Sequence, residues 1–166
     1  MKFKDLHYQD NPLLICNIWD GMSTKIADKL GFQAIGTSSA AISNMLGYED
    51  GENMSFSELC YFVKQIRATS PLPLTVDIES GYSREPQEIA ENIISLAKLG
   101  VAGINIEDSV VNKQRTLIDA GTFAHLLAEV TALLSDMGNF LFDNMYRHLE
   151  HKLQSVVNSQ SFEAIS

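Results

Sequence analysis

Basic residues are scarce in this chain. Twelve Lys and Arg stand against 21 Asp and Glu, a formal net charge of −9. That balance argues against a surface built for a phosphate backbone or for an anionic membrane. Long apolar runs are also missing, and none approaches the ~18 residues of a membrane-spanning helix. The first residues, Met1-Lys2-Phe3-Lys4-Asp5, lack the apolar stretch of a secretion signal. The two cysteines, Cys16 and Cys60, are too few for a disulfide framework or a cysteine metal cluster. No G-x-G-x-x-G follows the first apolar run, which weighs against a dinucleotide fold. Linkers, charge blocks and low-complexity segments are absent as well. What remains is 166 residues, 45% of them hydrophobic. That size suits about one globular domain, expected to be cytoplasmic, with no nucleic-acid or membrane partner.

Short apolar runs alternate with helical patterns. Leu13 to Ile18 reads as a buried strand, and Ser23 is placed to cap a helix carrying Ile26, Ala27 and Leu30. Gly31 ends that helix, and Phe32 to Gly36 forms a second strand. Residues 40–54 read as a Gly- and acid-rich loop, longer than an ordinary connection. Ser55-Phe56-Ser57-Glu58 is a capping box opening a helix with Leu59, Phe62, Val63 and Ile66 on one face. Pro71 and Pro73 end it, and Leu72 to Ile78 is the third strand. Pro86 starts a helix that Gly100 closes, and Val101 to Ile106 is the fourth strand. Thr122 is expected to cap a helix that Gly138-Asn139 breaks. A fifth strand, Phe140-Leu141-Phe142, and a last helix with Met145, Leu149, Leu153 and Val156 are expected beyond it. The division is therefore 1–138, four βα units, and 139–166, a divergent tail. Strands apolar on both faces imply a parallel sheet covered by helices: a doubly wound sheet or a (β/α)8 barrel.

Parallel α/β folds place their chemistry at the carboxyl ends of the strands. Those ends are polar here: Trp19-Asp20, Thr37-Ser38-Ser39, Asp77-Ile78-Glu79-Ser80-Gly81-Tyr82 and Glu107-Asp108. Asp77 and Glu79, two apart on a strand, are expected to point to one side. Facing carboxylates repel unless a cation or proton compensates, and Glu107 is a third candidate. Few carboxylates plus water describe a Mg²⁺ site; helix caps or solvated acids are the alternative. Small residues after Ser38 and Ser39, namely Ala40 and Ala41, let backbone amides approach an anion, or Ser38 simply caps a helix. Gly81 suits close approach of a ligand or an ordinary turn. Lys113 balances the acids or is solvated. His148 and His151 share a helix face, which is more often surface than metal site.

Four segments come in a familiar order and spacing: Gly36-Thr37-Ser38-Ser39-Ala40-Ala41, Gly47-Tyr48-Glu49-Asp50-Gly51-Glu52, Asp77 to Tyr82, and Gly103-Ile104-Asn105-Ile106-Glu107-Asp108. Together, over residues 5–135, they resemble the isocitrate lyase / phosphoenolpyruvate mutase superfamily, nearest its phosphonomutase and methylisocitrate-lyase-like branch. The resemblance implies a (β/α)8 barrel with Mg²⁺ at its mouth. The chemistry it implies makes or breaks C–C or C–P bonds beside a 2-oxo acid, through a pyruvate-like enolate. It implies Asp77 as direct metal ligand, with Glu79 and Glu107 acting through water. Ser38, Ser39 and Ala40 would cradle the substrate carboxylate, with Gly81 and Tyr82 at the same site. Asp50 would be the acid of the loop over the mouth, and Lys113 the lysine of the next loop.

Three departures stand out. Glu79 occupies a position that is Asp in many members. Lys113-Gln114-Arg115-Thr116-Leu117 lacks the cysteine that serves the isocitrate and methylisocitrate lyases. The match stops near residue 138, and Arg147 cannot be aligned with the arginine that the family's fifth strand presents. A barrel takes ~250 residues and at least ~200, so the chain is expected to be a partial (β/α)8 barrel of about four to five βα units, truncated relative to the family. Open sheet edges then predict a homo-oligomer. The rival expectation is an inactive remnant that only folds and associates; a third is a Mg²⁺-dependent metabolite binder without turnover.

Overall fold

A computed structural model of the chain describes residues 3–111 and 115–137. Four parallel strands, β1 (Ile15–Ile18), β2 (Ala34–Thr37), β3 (Leu74–Asp77) and β4 (Gly103–Asn105), lie side by side in chain order. Ile15 stands opposite Ala34, Ile35 opposite Leu74, and Thr75 opposite Gly103. Each strand is followed by helix: α1 (Gly21–Lys29), α2 (Ser39–Leu46) with α3 (Phe56–Thr69), α4 (Pro86–Lys98), and α5 (Ala120–Met137). Alternation along the strands divides the sheet into two faces. Ile18, Ile35, Leu74, Val76 and Ile104 face the helices in one core with Leu59, Val63, Ile89, Ile93 and Leu134. Ile15, Asn17, Gly36, Thr75 and Asn105 line a cavity of about 330 Å³ on the other face. A 3-10 turn, Phe3–Tyr8, lies against it: Phe3 and His7 join the lining, and Phe3 and Leu6 pack with Ala34, Leu13 and Ala102.

The four βα units stand as expected, with several corrections. Each strand begins two residues later than its apolar run; β1 ends at Ile18 as expected, β2 runs one residue further to Thr37, and β3 and β4 stop one residue short, at Asp77 and Asn105. Asp20, not Ser23, caps α1: its carboxylate accepts the Ser23 amide at 2.7 Å, while the Ser23 hydroxyl accepts the Asp20 amide at 3.1 Å. Asp119, not Thr122, plays that part for α5, accepting the Thr122 amide at 3.0 Å. In both, the acid three residues upstream has its carboxylate at the right distance for an N3 amide. The stretch 40–54 is not one loop. Ser39–Leu46 forms α2, closed by Gly47 at φ 81°, and the irregular chain is 47–55. A short antiparallel hairpin, β5 (Ser109–Val111) with β6 (Arg115–Leu117), follows β4 and was not expected. The Ser55 capping box and Pro86 in the first turn of α4 stand where the sequence places them. The expected fifth strand and last helix, and with them Arg147, His148 and His151, lie outside the described residues.

A Cβ on Gly103 would stand 2.6 Å from the Phe3 ring and 3.3 Å from Thr75 Oγ1. Gly103→Ala should therefore displace the Phe3 ring and cost about 1–3 kcal/mol. The check is a lowered urea midpoint at unchanged m-value.

Candidate functional site

Asp77 is the last residue of β3. Its amide donates to Thr37 Oγ1 at 2.8 Å. Its Oδ2 accepts from the Ser39 hydroxyl at 2.8 Å, and its Oδ1 accepts the Glu79 amide at 3.0 Å. Asp77 thus ties the end of β2 through its amide, and the start of α2 and the turn after β3 through its carboxylate. Ser38 caps α2, its Oγ accepting the Ala41 amide at 3.3 Å, and its own amide donates to the Ile18 carbonyl. Ser39 and Ala40 are the first two helical residues, whose amides an α-helix leaves without an internal acceptor.

Glu79 reaches this place by another route than expected. The strand ends at Asp77, and Glu79 sits in the left-handed region at φ 50°. A turn, not strand alternation, therefore brings the two acids together. The Glu79 carbonyl accepts the Glu107 amide at 2.6 Å, which joins the ends of β3 and β4. Its Oε2 accepts the Glu52 amide at 2.6 Å. Its Oε1 is buried with no hydrogen-bond partner, in a residue 4% exposed. Burial pushes the Glu79 pKa from 4.5 up to about 7; the Glu52 amide opposes this, and Asp50, Asp77 and Glu52 add to it. Burial also raises Asp77, against its bonds to Glu79 and Ser39, with Glu107 and Asp50 adding. Glu107 Oε2 accepts from the Ser109 hydroxyl at 2.7 Å.

Sequence reasoning gave Glu52 no role, yet it joins the segment 47–55 to the turn after β3. Its Oε1 accepts from the Ser80 hydroxyl and the Tyr82 amide, both at 2.9 Å, and its Oε2 pairs with Arg84 at 2.8 Å. Glu52 and Tyr82 are themselves left-handed, at φ 58° and 59°. That conformation is uncommon for such residues, and no sequence signal marks it.

The remaining candidates divide. Asp50 is exposed on the same segment, within electrostatic reach of Asp77 and Glu79. Gly81 is left-handed at φ 107°, and a Cβ there would meet Ile89 at 2.9 Å. The demand for glycine thus comes from the packing of α4. Tyr82 packs its ring 5.6 Å from Phe56, and its buried hydroxyl has no hydrogen-bond partner. Burial raises its pKa far above the ordinary value, with Glu79, Glu52 and Asp77 adding. Lys113 lies outside the described residues.

Among the described residues, no three His, Cys, Asp or Glu side chains converge into a ready-made metal cage. The donors do fit a hard cation held through one or two carboxylates and water. Asp77 and Glu79 carry desolvated carboxylate oxygens that repel each other, and one Glu79 oxygen has no hydrogen-bond partner. Among the described residues, no helix is long and apolar enough to cross a membrane.

Four parallel strands in chain order, with carboxylates at their ends, form part of a (β/α)8 barrel. Residues 3–144 match the model of the family described as phosphoenolpyruvate phosphomutase, and the chain belongs to that family. An uncharacterized protein of Mycobacterium tuberculosis is 41% identical over 115 residues, 68% of this chain and 42% of that protein. The 2-methylisocitrate lyase of Salmonella typhimurium is 30% identical over 107 residues, 64% of this chain and 36% of the enzyme. The crystal structure of a candidate phosphonomutase from Burkholderia cenocepacia matches with a TM-score of 0.74 at 31% identity. That match covers 81% of this chain and 54% of the other. The chain thus spans less than half the length of these two curated relatives.

Two outcomes follow from this geometry. Glu52→Ala removes the acceptor for Ser80, Tyr82 and Arg84 and should cost about 2 kcal/mol or more. It should also speed proteolytic cleavage within 47–55, read by mass spectrometry of the fragments. For Glu79, a raised folded pKa means that the native state holds a proton that the unfolded chain has lost between pH 4.5 and about 7. Its contribution to stability therefore falls as pH rises through that window and levels off above it. Glu79→Gln should flatten this component, read as the difference between urea midpoints at pH 5 and pH 7.5.

Proposed function

We propose that this chain carries a Mg²⁺-dependent site for lyase- or mutase-type chemistry on a small 2-oxo acid, cleaving a C–C or C–P bond beside the carbonyl. The observation that carries the reading is the pair of desolvated carboxylates, Asp77 and Glu79, one with an unpartnered oxygen, at the carboxyl end of a parallel sheet. Membership of a mutase family, and likeness to a lyase and a candidate phosphonomutase, support the reaction class. Oxaloacetate-like or phosphonopyruvate-like compounds have the required shape.

Asp77, Glu79 and Glu107 would hold the ion, Asp77 directly and the two glutamates through water. When bound, Mg²⁺ supplies Lewis-acid stabilisation of the negative charge that an enolate oxygen develops. The amides of Ser39 and Ala40, beside the Ser38 cap, would bind the substrate carboxylate at the positive end of α2. Ser39 has a second duty, since its hydroxyl fixes the Asp77 carboxylate. Gly81 and Tyr82 shape the wall through the turn that Glu52 anchors. Asp50 on the segment 47–55 would exchange protons at the mouth, with Lys113 assisting. Closing that segment over the mouth would exclude water, whose protons quench an enolate.

Mg²⁺ affinity should rise with pH through about 7, since Glu79 must lose its proton to bind. Millimolar Mg²⁺ with oxalate, an enolate mimic, should raise the melting temperature by about 5 °C at saturating ligand. Asp77→Ala should lose that rise. A shift that persists in the variant, or none in the parent chain, overturns the site. A second reading is a site that binds Mg²⁺ and a small oxo acid without turnover. A melting shift with no Mg²⁺-dependent consumption of oxaloacetate or phosphonopyruvate would establish it.

A further inference from the structure

Segment 47–55 is held at both ends by contacts of its own. Tyr48 donates its amide to the Ser43 carbonyl at 2.9 Å, and Met54 is buried in the core at 1% exposure. Between those ends the segment meets the strand-end site through Glu52, and the contact is reciprocal. The Glu52 amide donates to Glu79 Oε2 at 2.6 Å. The Glu52 carboxylate in turn accepts from Ser80, Tyr82 and Arg84, on either side of Gly81. Glu79 is thereby shared. One of its oxygens holds the segment, and the other, Oε1, is buried with no hydrogen-bond partner. A short bond from an amide to one oxygen restrains rotation of the whole carboxylate, so the second oxygen is aimed as well.

This clasp works against charge. It brings Asp50 and Glu52 within electrostatic reach of Glu79, and Asp50 within reach of Asp77 as well. Like charges at that range repel, and Arg84 balances the Glu52 carboxylate. We propose that Glu52 is a positioning residue of the cation site: it aims the unpartnered Glu79 oxygen, and a divalent cation bound there seats segment 47–55 in return. The inference rests on the metal site proposed above. Without the cation, the acids of the segment and those of the strand ends oppose each other across the clasp. A bound divalent cation offsets that repulsion, and the seated segment becomes the favoured form. Linkage makes the effect mutual: the factor by which the cation favours the seated segment is the factor by which the seated segment raises cation affinity. Asp50, two residues before Glu52, is held near Asp77 and Glu79 by the same clasp.

The test is hydrogen exchange of the full 166-residue chain at constant pH across a titration of Mg²⁺ alone, read by mass spectrometry on peptides covering 47–55. Calorimetry reads Mg²⁺ binding in parallel. Mg²⁺ should slow exchange in 47–55 at least about fivefold, the low end of ordinary coupling between sites, and change α5 far less. Asp77→Ala should lose the slowing. Glu52→Ala should speed exchange in 47–55 and raise the Mg²⁺ midpoint at least about fivefold. Glu52→Gln keeps an oxygen for Ser80 and Tyr82 and should bring the midpoint most of the way back. Faster exchange in Glu52→Ala at an unchanged Mg²⁺ midpoint would make Glu52 a structural brace alone and overturns the proposal. So does slowing that persists in Asp77→Ala. Mg²⁺ binding to the parent chain with exchange in 47–55 unchanged overturns the coupling and leaves the metal site standing. No Mg²⁺ binding to the parent chain overturns both.

Discussion

Asp77 joins three separate elements at the strand ends. Its amide holds Thr37 of β2, one oxygen holds Ser39 of α2, and the other holds the backbone of the turn that follows. Because each partner comes from a different element, the charge is fixed in direction as well as in place. The burial that fixes it also makes its ionised form costly. Everything nearby is a response to that cost. Neutral donors surround Asp77, Glu79 takes a raised pKa, and a cation would relieve both.

Glu79 and Glu52 extend the same constraint outward. Glu79 binds Glu107, just past β4, through its carbonyl and the segment 47–55 through its carboxylate, while Glu52 returns three bonds to the turn after β3. Two left-handed acids facing one another are costly in conformation and in charge. Their hydrogen bonds offset part of that cost, and Arg84 balances one of the charges. The strained backbone therefore lies between the strand ends and the segment above them, where proteins concentrate strain for function.

The parallel βα order was legible because it rests on composition: β-branched and aliphatic runs, glycines after helices, and a capping box at Ser55. The strand-end positions of Ser38, Ser39 and Asp77 follow from the same pattern, whereas Glu79 is placed by a left-handed turn that the pattern does not show. What escaped depended on tertiary contacts. α2 was read as loop because Ser39–Leu46 is short and opens on small residues with no acid in its first turn. Asp20 and Asp119 were passed over as caps in favour of hydroxyls three residues on, because a capping pair looks alike from either end in one dimension. Glu52 was invisible for a deeper reason. Its partners are 27 to 32 residues away in sequence, and only the fold brings them together.

Trp19 has a consequence for how this protein is watched. It is the chain's one tryptophan, it follows β1 directly, and its indole is 41% exposed. Its backbone amide donates to the Ser23 hydroxyl at 3.1 Å, so the residue is anchored to the α1 capping box. Emission excited in the indole band therefore comes from a single known position at the sheet's edge, with no second fluorophore of its kind to average it. The chain carries its own optical gauge there. Its colour reports how wet that edge is, and a shift to the blue marks the moment something covers it.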